Sequence, residues 1–228
     1  MIVSIHQPDY IPYIGYFYKI AKSDTFVFLD DVQFSNDNVH NQNKIKTPQG
    51  ELRLKIPVLY KFGDKINQVK TKDELKWKEK HLKTIEMNYL RAKYFNDFFS
   101  SFKELLMSDY KNLADMNITI NKYICDRFSI KPQFVVSSDL NINSMKEERV
   151  IDICLALGAD EYLSGNGARA YQVDEHFESR GIKLKYTDYK PISYTQVWKE
   201  FLPNMSIIDY IFNCGFDWDN IEEGLRGV

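Results

Sequence analysis

Short runs of β-branched and aromatic residues alternate along this chain with longer stretches of helical period. No other feature constrains the fold as tightly. Ile2–Ile5, Thr25–Asp30, Gln133–Ser137, Glu161–Ser164 and Lys183–Asp188 read as strands, rich in residues that suit a pleated, buried surface. Glu51–Val58 alternates apolar and polar residues like a half-exposed strand, with Pro57 at its end or at a sheet edge. Lys76–Asn88, Tyr94–Met107 and Leu113–Arg127 carry the three- and four-residue spacing of amphipathic helices. Glu147–Leu157, closed by Gly158, and Val173–Arg180, followed by Gly181, read as further helices. Ser206–Asn213 reads as a last helix, with Ser206 as N-cap and Gly215 beyond its end. Strands alternating with helices predict an α/β fold with a mainly parallel sheet. Residues 72–130 would be a helical insertion within one domain spanning 1–228.

Composition narrows the function. With 30 Lys+Arg against 32 Asp+Glu the net charge is −2, which argues against general nucleic-acid binding. There is no apolar run of about 18 residues, so no membrane span is expected. The opening MIVSIHQPDY lacks a basic n-region and a long apolar core, and the expectation is a cytoplasmic chain. Cys125, Cys154 and Cys214 are widely spaced without a CxxC, and the four histidines form no HxH or HxxxH. Neither a disulfide framework nor a metal centre has sequence support. Nothing in the sequence sets the oligomeric state.

In open α/β sheets ligands bind outside the carboxyl ends of the strands. Here those ends are polar. The first runs into His6, Gln7 and an aromatic loop containing Tyr10, up to Gly15 and Tyr16. A histidine there can act as acid or base near neutrality, or donate to phosphate. The second ends at Asp30 and Asp31, followed by Gln33; one of the two carboxylates would orient an amine or a base. Asn41 and Asn43 offer amides to sugar hydroxyls, and Lys44 or Lys46 a cation to phosphate. Ser164, Gly165, Asn166 and Gly167 form a turn whose N–H groups would cradle an anion, with Tyr171 after it. Lys80 and His81 share a helical face with Trp77, and would add to the site if that face met it. Tyrosine and phenylalanine raise the aromatic content to 14%, enough to wall a pocket for a base or sugar.

Five blocks carry a resemblance. IHQPDYIPYIGYFYKIAKSDTFVFLDDVQF, NQNKIKTPQGELRLKIPV, WKEKHLKTIEMNY, LGADEYLSGNGARAY and FLPNMSIIDYIFNCG together resemble the WbqC-like family over residues 5 to 215. The H-Q-P, G-Y-F and D-D-V-Q-F signatures are the specific part. The resemblance leads one to expect Arg between two asparagines, where this chain has Gln42; Lys44 or Lys46 would have to replace it. It implies a setting in O-antigen or other surface-polysaccharide (lipopolysaccharide) biosynthesis, near N-acylation of amino sugars with amino acids such as glycine. A second similarity, of layout only, is to nucleotidylyltransferase-like ligases such as pantothenate synthetase, a Rossmann-type arrangement. There a strand-end His and a helix N-terminus hold ATP phosphates, the equivalents being His6 and Gly15-Tyr16. The second His of that motif is absent, since Tyr16 follows Gly15.

The expected function is amide formation: an acyl or aminoacyl group passes to the amine of a nucleotide-linked sugar, with His6 as base. ATP with Mg²⁺ would serve if the donor is activated in place, and a charged tRNA stays open as donor. The alternatives are a nucleotidylyl- or adenylate-forming enzyme and a non-catalytic binding protein of the same pathway.

Overall fold

The computed structural model describes residues 1–198 and 200–226. In chain order the elements are β1 (Ile2–His6), α1 (Ile14–Ala21), β2 (Thr25–Phe28), β3 (Gln42–Thr47), β4 (Gly50–Lys55), β5 (Val58–Leu59), β6 (Lys70–Thr71), α2 (Trp77–Tyr89), α3 (Phe95–Met107), α4 (Leu113–Arg127), β7 (Gln133–Val136), α5 (Lys146–Ala156), β8 (Glu161–Ser164), α6 (Asp174–Glu178), β9 (Lys183–Tyr186), α7 (Ile207–Cys214) and α8 (Trp218–Arg226).

Five strands form one sheet in the order β7-β2-β1-β8-β9. Every neighbouring pair is parallel, with Val3 opposite both Thr25 and Tyr162. Renumbered within this sheet the order is 3-2-1-4-5, the Rossmann-type order. The α/β expectation holds. Strand alternation explains why both faces are covered. Val3, Ile5 and Val27 point to the face packed by α5 and α6, with Ile151, Ile153 and Phe177. Phe26 and Phe28 point to the other, with Phe17 and Ile20 of α1 and Phe212 of α7. Each fully buried phenylalanine contributes roughly 2–3 kcal/mol of transfer free energy.

The connection from β2 to β7 is the long one. It holds α2, α3 and α4, as the helical insertion required, but also two β-ribbons, β3–β4 and β5–β6. The strand expected over 51–58 is therefore corrected. It ends at Lys55, and Val58–Leu59 pairs separately with Lys70–Thr71, since Pro57 has no N–H to continue a ladder. The polar stretch around Asn43 is a strand too, Gln42–Thr47, and not a mobile polar loop. The helix ends behave as their residues dictate. Ser206 caps α7, Gly158 leaves α5 at a φ of 69°, and Gly215 follows α7 at 81°. Among the described residues, no helix is long and apolar enough to cross a membrane.

Candidate functional site at the head of the central strand

The order reverses between β1 and β8. From β1 the chain crosses through α1 to β2 on one face; from β8 it crosses through α6 to β9 on the other. In sheets of this order ligands bind between the diverging crossovers, outside the carboxyl ends of the two strands, and here those ends are His6-Gln7 and Ser164-Gly165.

His6 stands at this point with its side chain 38% exposed, open enough for a ligand to reach it. Its Nδ1 is 3.1 Å from the Gln7 carbonyl. A carbonyl only accepts, so Nδ1 carries the proton and Nε2 is the basic nitrogen of the neutral ring. Asp9 Oδ2 lies 3.6 Å from the same Nδ1, too far for a hydrogen bond and close enough to act by charge. The other oxygen, Oδ1, is 3.0 Å from His40 Nδ1. Tyr16 meets the His6 ring edge-on at 4.8 Å. Although part of the ring is open, the surrounding loop and α1 desolvate the His6 imidazole and push it below its ordinary range; Asp9 opposes this and the Lys19 ammonium reinforces it. Lys19 is itself buried, its Nζ donating to the Ile5 carbonyl at 2.7 Å, and burial brings it down to about 7.

The loop after β1 is held carbonyl by carbonyl. Gln7 accepts from the Tyr16 hydroxyl, Pro8 from Asn117, Asp9 from Asn121, Tyr10 from Asn43, and Ile11 from both Asn43 and Ser206. Such restraint is needed because Ile11 sits at a φ of 38°, unfavourable for a β-branched side chain. Asn43, expected on sugar hydroxyls, is thus a clamp of this loop. Asn41, fully buried, donates to Ile56 and Asn36. Lys44 pairs with Glu51 across the ribbon at 2.7 Å, and Lys46 is buried against Gln196.

The two adjacent carboxylates are also engaged by the fold. Asp30 accepts from the Ser138 N–H, the Ser138 hydroxyl and the Asn67 amide at 2.9 to 3.0 Å. Asp31 forms a buried ion pair with Arg149, and the Ser137 hydroxyl lies between the two. Neither pairs with His6; the carboxylate that does is Asp9. Gln33 is exposed and bridges to Lys65.

Tyr10 is wholly buried and its hydroxyl meets His81 Nδ1 at 3.1 Å. His81 Nε2 donates to the Lys55 carbonyl, so its Nδ1 accepts from the tyrosine. The pair forms a wall behind the loop. Lys80 is exposed, and the lysine that turns inward from α2 is Lys78. At the second strand end, Ser164 is buried and Asn166 accepts from the Asp188 N–H. Gly165 and Gly167 have ordinary φ and open space around them, while Tyr171 is 71% exposed. Gly15 has a steric reason: a Cβ there would lie 2.4 Å from the Tyr13 ring and 2.7 Å from that of Tyr189. Two clefts of about 310 and 360 Å³ lie around Tyr94 and Cys214, and no strand end lines them.

Asp9, His40, Lys19, Asn117 and Asn121 were not singled out from sequence. Asn117 and Asn121 did leave a signal: two amides four residues apart on the buried face of α4.

A model of the WbqC-like protein family matches residues 7–221. The uncharacterized protein Rv1507c of Mycobacterium tuberculosis is 33% identical over 217 residues, covering 93% of this chain and 94% of its own. No solved structure matches. The family match runs from the residue after His6 through the ribbons, the insertion and α7, and on these grounds the chain belongs to the WbqC-like family.

Proposed function

We propose that this protein is an enzyme that forms an amide, transferring an acyl or aminoacyl group to the amine of a nucleotide-linked sugar held at the switch point. The observation carrying this reading is the His6 tautomer. A ring with Nδ1 bonded to a carbonyl and backed by Asp9, held below its ordinary pKa, presents a basic Nε2 at neutral pH. In the reaction the amine nitrogen attacks the acyl carbonyl carbon as Nε2 takes an amine proton. The C–N bond forms, the bond from the acyl carbon to the leaving oxygen of an ester or mixed anhydride breaks, and the proton passes from Nε2 to that oxygen. Direct attack is favoured over a thiol nucleophile because burial pushes the Cys125 thiol well up, and Cys214 to about 11.

Ser164 to Gly167 and the exposed Tyr171 would receive the sugar nucleotide. The surface-polysaccharide setting belongs to the same proposal. ATP and Mg²⁺ enter only if the donor is a free acid. The test is incubation with amino-sugar nucleotides and glycine plus ATP, or glycyl-tRNA, followed by mass spectrometry. A mass gain that disappears in His6→Ala is expected. Sugar-nucleotide binding without any transfer, or undiminished turnover in His6→Ala, would remove the reading.

A further inference from the structure

We propose that His40 is a positioning residue for His6, acting through Asp9 and limiting how strongly that carboxylate raises the basicity of His6. The idea rests on the reading of His6 as the working base, though its test does not.

His40 is 1% exposed and touches no surface a substrate can reach. Its hydrogen bond goes to one oxygen of a carboxylate whose other oxygen faces His6. That arrangement is built from two segments stitched together. A single amide, Asn117 Nδ2, donates to the carbonyl of Pro8 at 2.9 Å and to that of His40 at 2.8 Å. The Tyr10 N–H donates to the Val39 carbonyl at 2.9 Å. Asn121 holds the Asp9 carbonyl. The backbone on either side of the carboxylate is therefore fixed, and the remaining freedom of Asp9 is rotation of its side chain. His40 Nδ1 takes up that freedom. It holds Oδ1, and Oδ2 is left 3.6 Å from His6, a distance at which charge acts without a shared hydrogen bond.

The charged and titratable groups facing His6 are Asp9 in its own loop, Lys19 and Tyr16 from α1, and His40. Asp9 alone among them draws a proton onto His6. A donor on Oδ1 withdraws charge from that carboxylate and anchors it at arm's length. Removing the donor should let Asp9 swing into a full hydrogen bond with His6 Nδ1. The consequence has a sign: losing His40 raises the His6 pKa, while losing the Asp9 charge lowers it.

Nuclear magnetic resonance titration of the His6 Cε1–H signal between pH 4 and 9 tests this on the whole chain without any substrate. In His40→Leu the His6 pKa should rise by roughly half a pH unit or more, and in Asp9→Asn it should fall. His40→Asn, which keeps an N–H near the position of Nδ1, should return the wild-type value. An unchanged His6 pKa in folded His40→Leu, or a fall, overturns the proposal, and so does a rise that the uncharged His40→Asn fails to reverse, because that rise would come from losing the direct charge of His40 and not from freeing Asp9. If His40→Leu does not fold, the wild-type protein decides: the ¹⁵N shift of His40 Nδ1 must show an inflection at the pH where His6 titrates, and its absence overturns the proposal. Failure here leaves amide formation standing, and failure to find a product leaves this titration intact.

Discussion

The side-chain amide of Asn43 lies 2.9 Å from the carbonyl of Ile11, a residue held at a φ of 38°. The same nitrogen donates to the Tyr10 carbonyl at 3.0 Å. One side chain in an inserted ribbon thus holds the strained end of the loop that carries His6. Asn43→Ala should lower stability by roughly 1–3 kcal/mol, since the Tyr10 carbonyl loses this donor and the Ile11 carbonyl keeps only Ser206. Asn43→Asp should cost more at neutral pH, because a carboxylate would then face the two carbonyls. Urea unfolding of the two variants checks the order, and equal costs would show that the loop does not depend on the amide.

His81 gives a pH dependence of stability. Burial lowers it from 6.5 to about 4 in the folded chain. Between those values the unfolded chain binds the proton and the folded chain does not, so stability rises with pH across that window. The contribution is complete above 6.5 and is lost as pH falls toward 4, by up to about 3 kcal/mol. Thermal unfolding should therefore weaken from pH 7 to pH 4.5, and less steeply in His81→Gln. Parallel curves for the two proteins would dismiss the histidine as the cause.

Lys19 acts in a separate window. Its folded pKa is brought down from 10.5 to about 7, so between these values the unfolded chain again holds more protons and stability rises with pH. Lys19→Met removes that slope. The wild type should gain roughly 2–3 kcal/mol relative to the variant between pH 7 and 9. Guanidinium midpoints at the two pH values measure it, and a constant difference between the proteins would refute it.

Asp31 and Arg149 are a buried pair. Arg149→Met strands the carboxylate and should cost roughly 3–5 kcal/mol, whereas combining it with Asp31→Asn should recover most of the loss. A double-mutant cycle by chemical denaturation reports the coupling. Additive costs would place the pair among weak surface contacts.

The sheet was legible in the sequence because its central strands are buried on both faces, and continuous apolar runs such as Thr25–Phe28 leave little alternative. The helices α2 to α7 were legible by period, whereas α8 was not: Ser206–Asn213 reads as the last helix, and of Trp218–Arg226 only Ile221 is buried. β3 was not, because Gln42–Thr47 buries mainly polar side chains, among them Lys46 and Thr47, and imitates a ligand-binding loop. At the site His6 was legible from its position after a strand. Its partners were not, because Asp9 takes meaning only from His40, and the amides of α4 reach back to a loop more than a hundred residues earlier. Asp30 and Asp31 looked like free chemistry for the converse reason: apart from Asn67, the groups that hold them, Ser137, Ser138 and Arg149, lie equally far along the chain.

The strand order has a consequence for how the chain assembles during synthesis. β1 can pair with β2 as soon as α1 has formed, but its other edge belongs to β8, whose Tyr162 completes the pairing at Val3. Until then the growing polypeptide carries an open parallel edge, the kind of surface on which a nascent chain sticks to its neighbours. The switch point beside His6 is bounded by that late strand. It is therefore assembled late, after the whole insertion has left the ribosome.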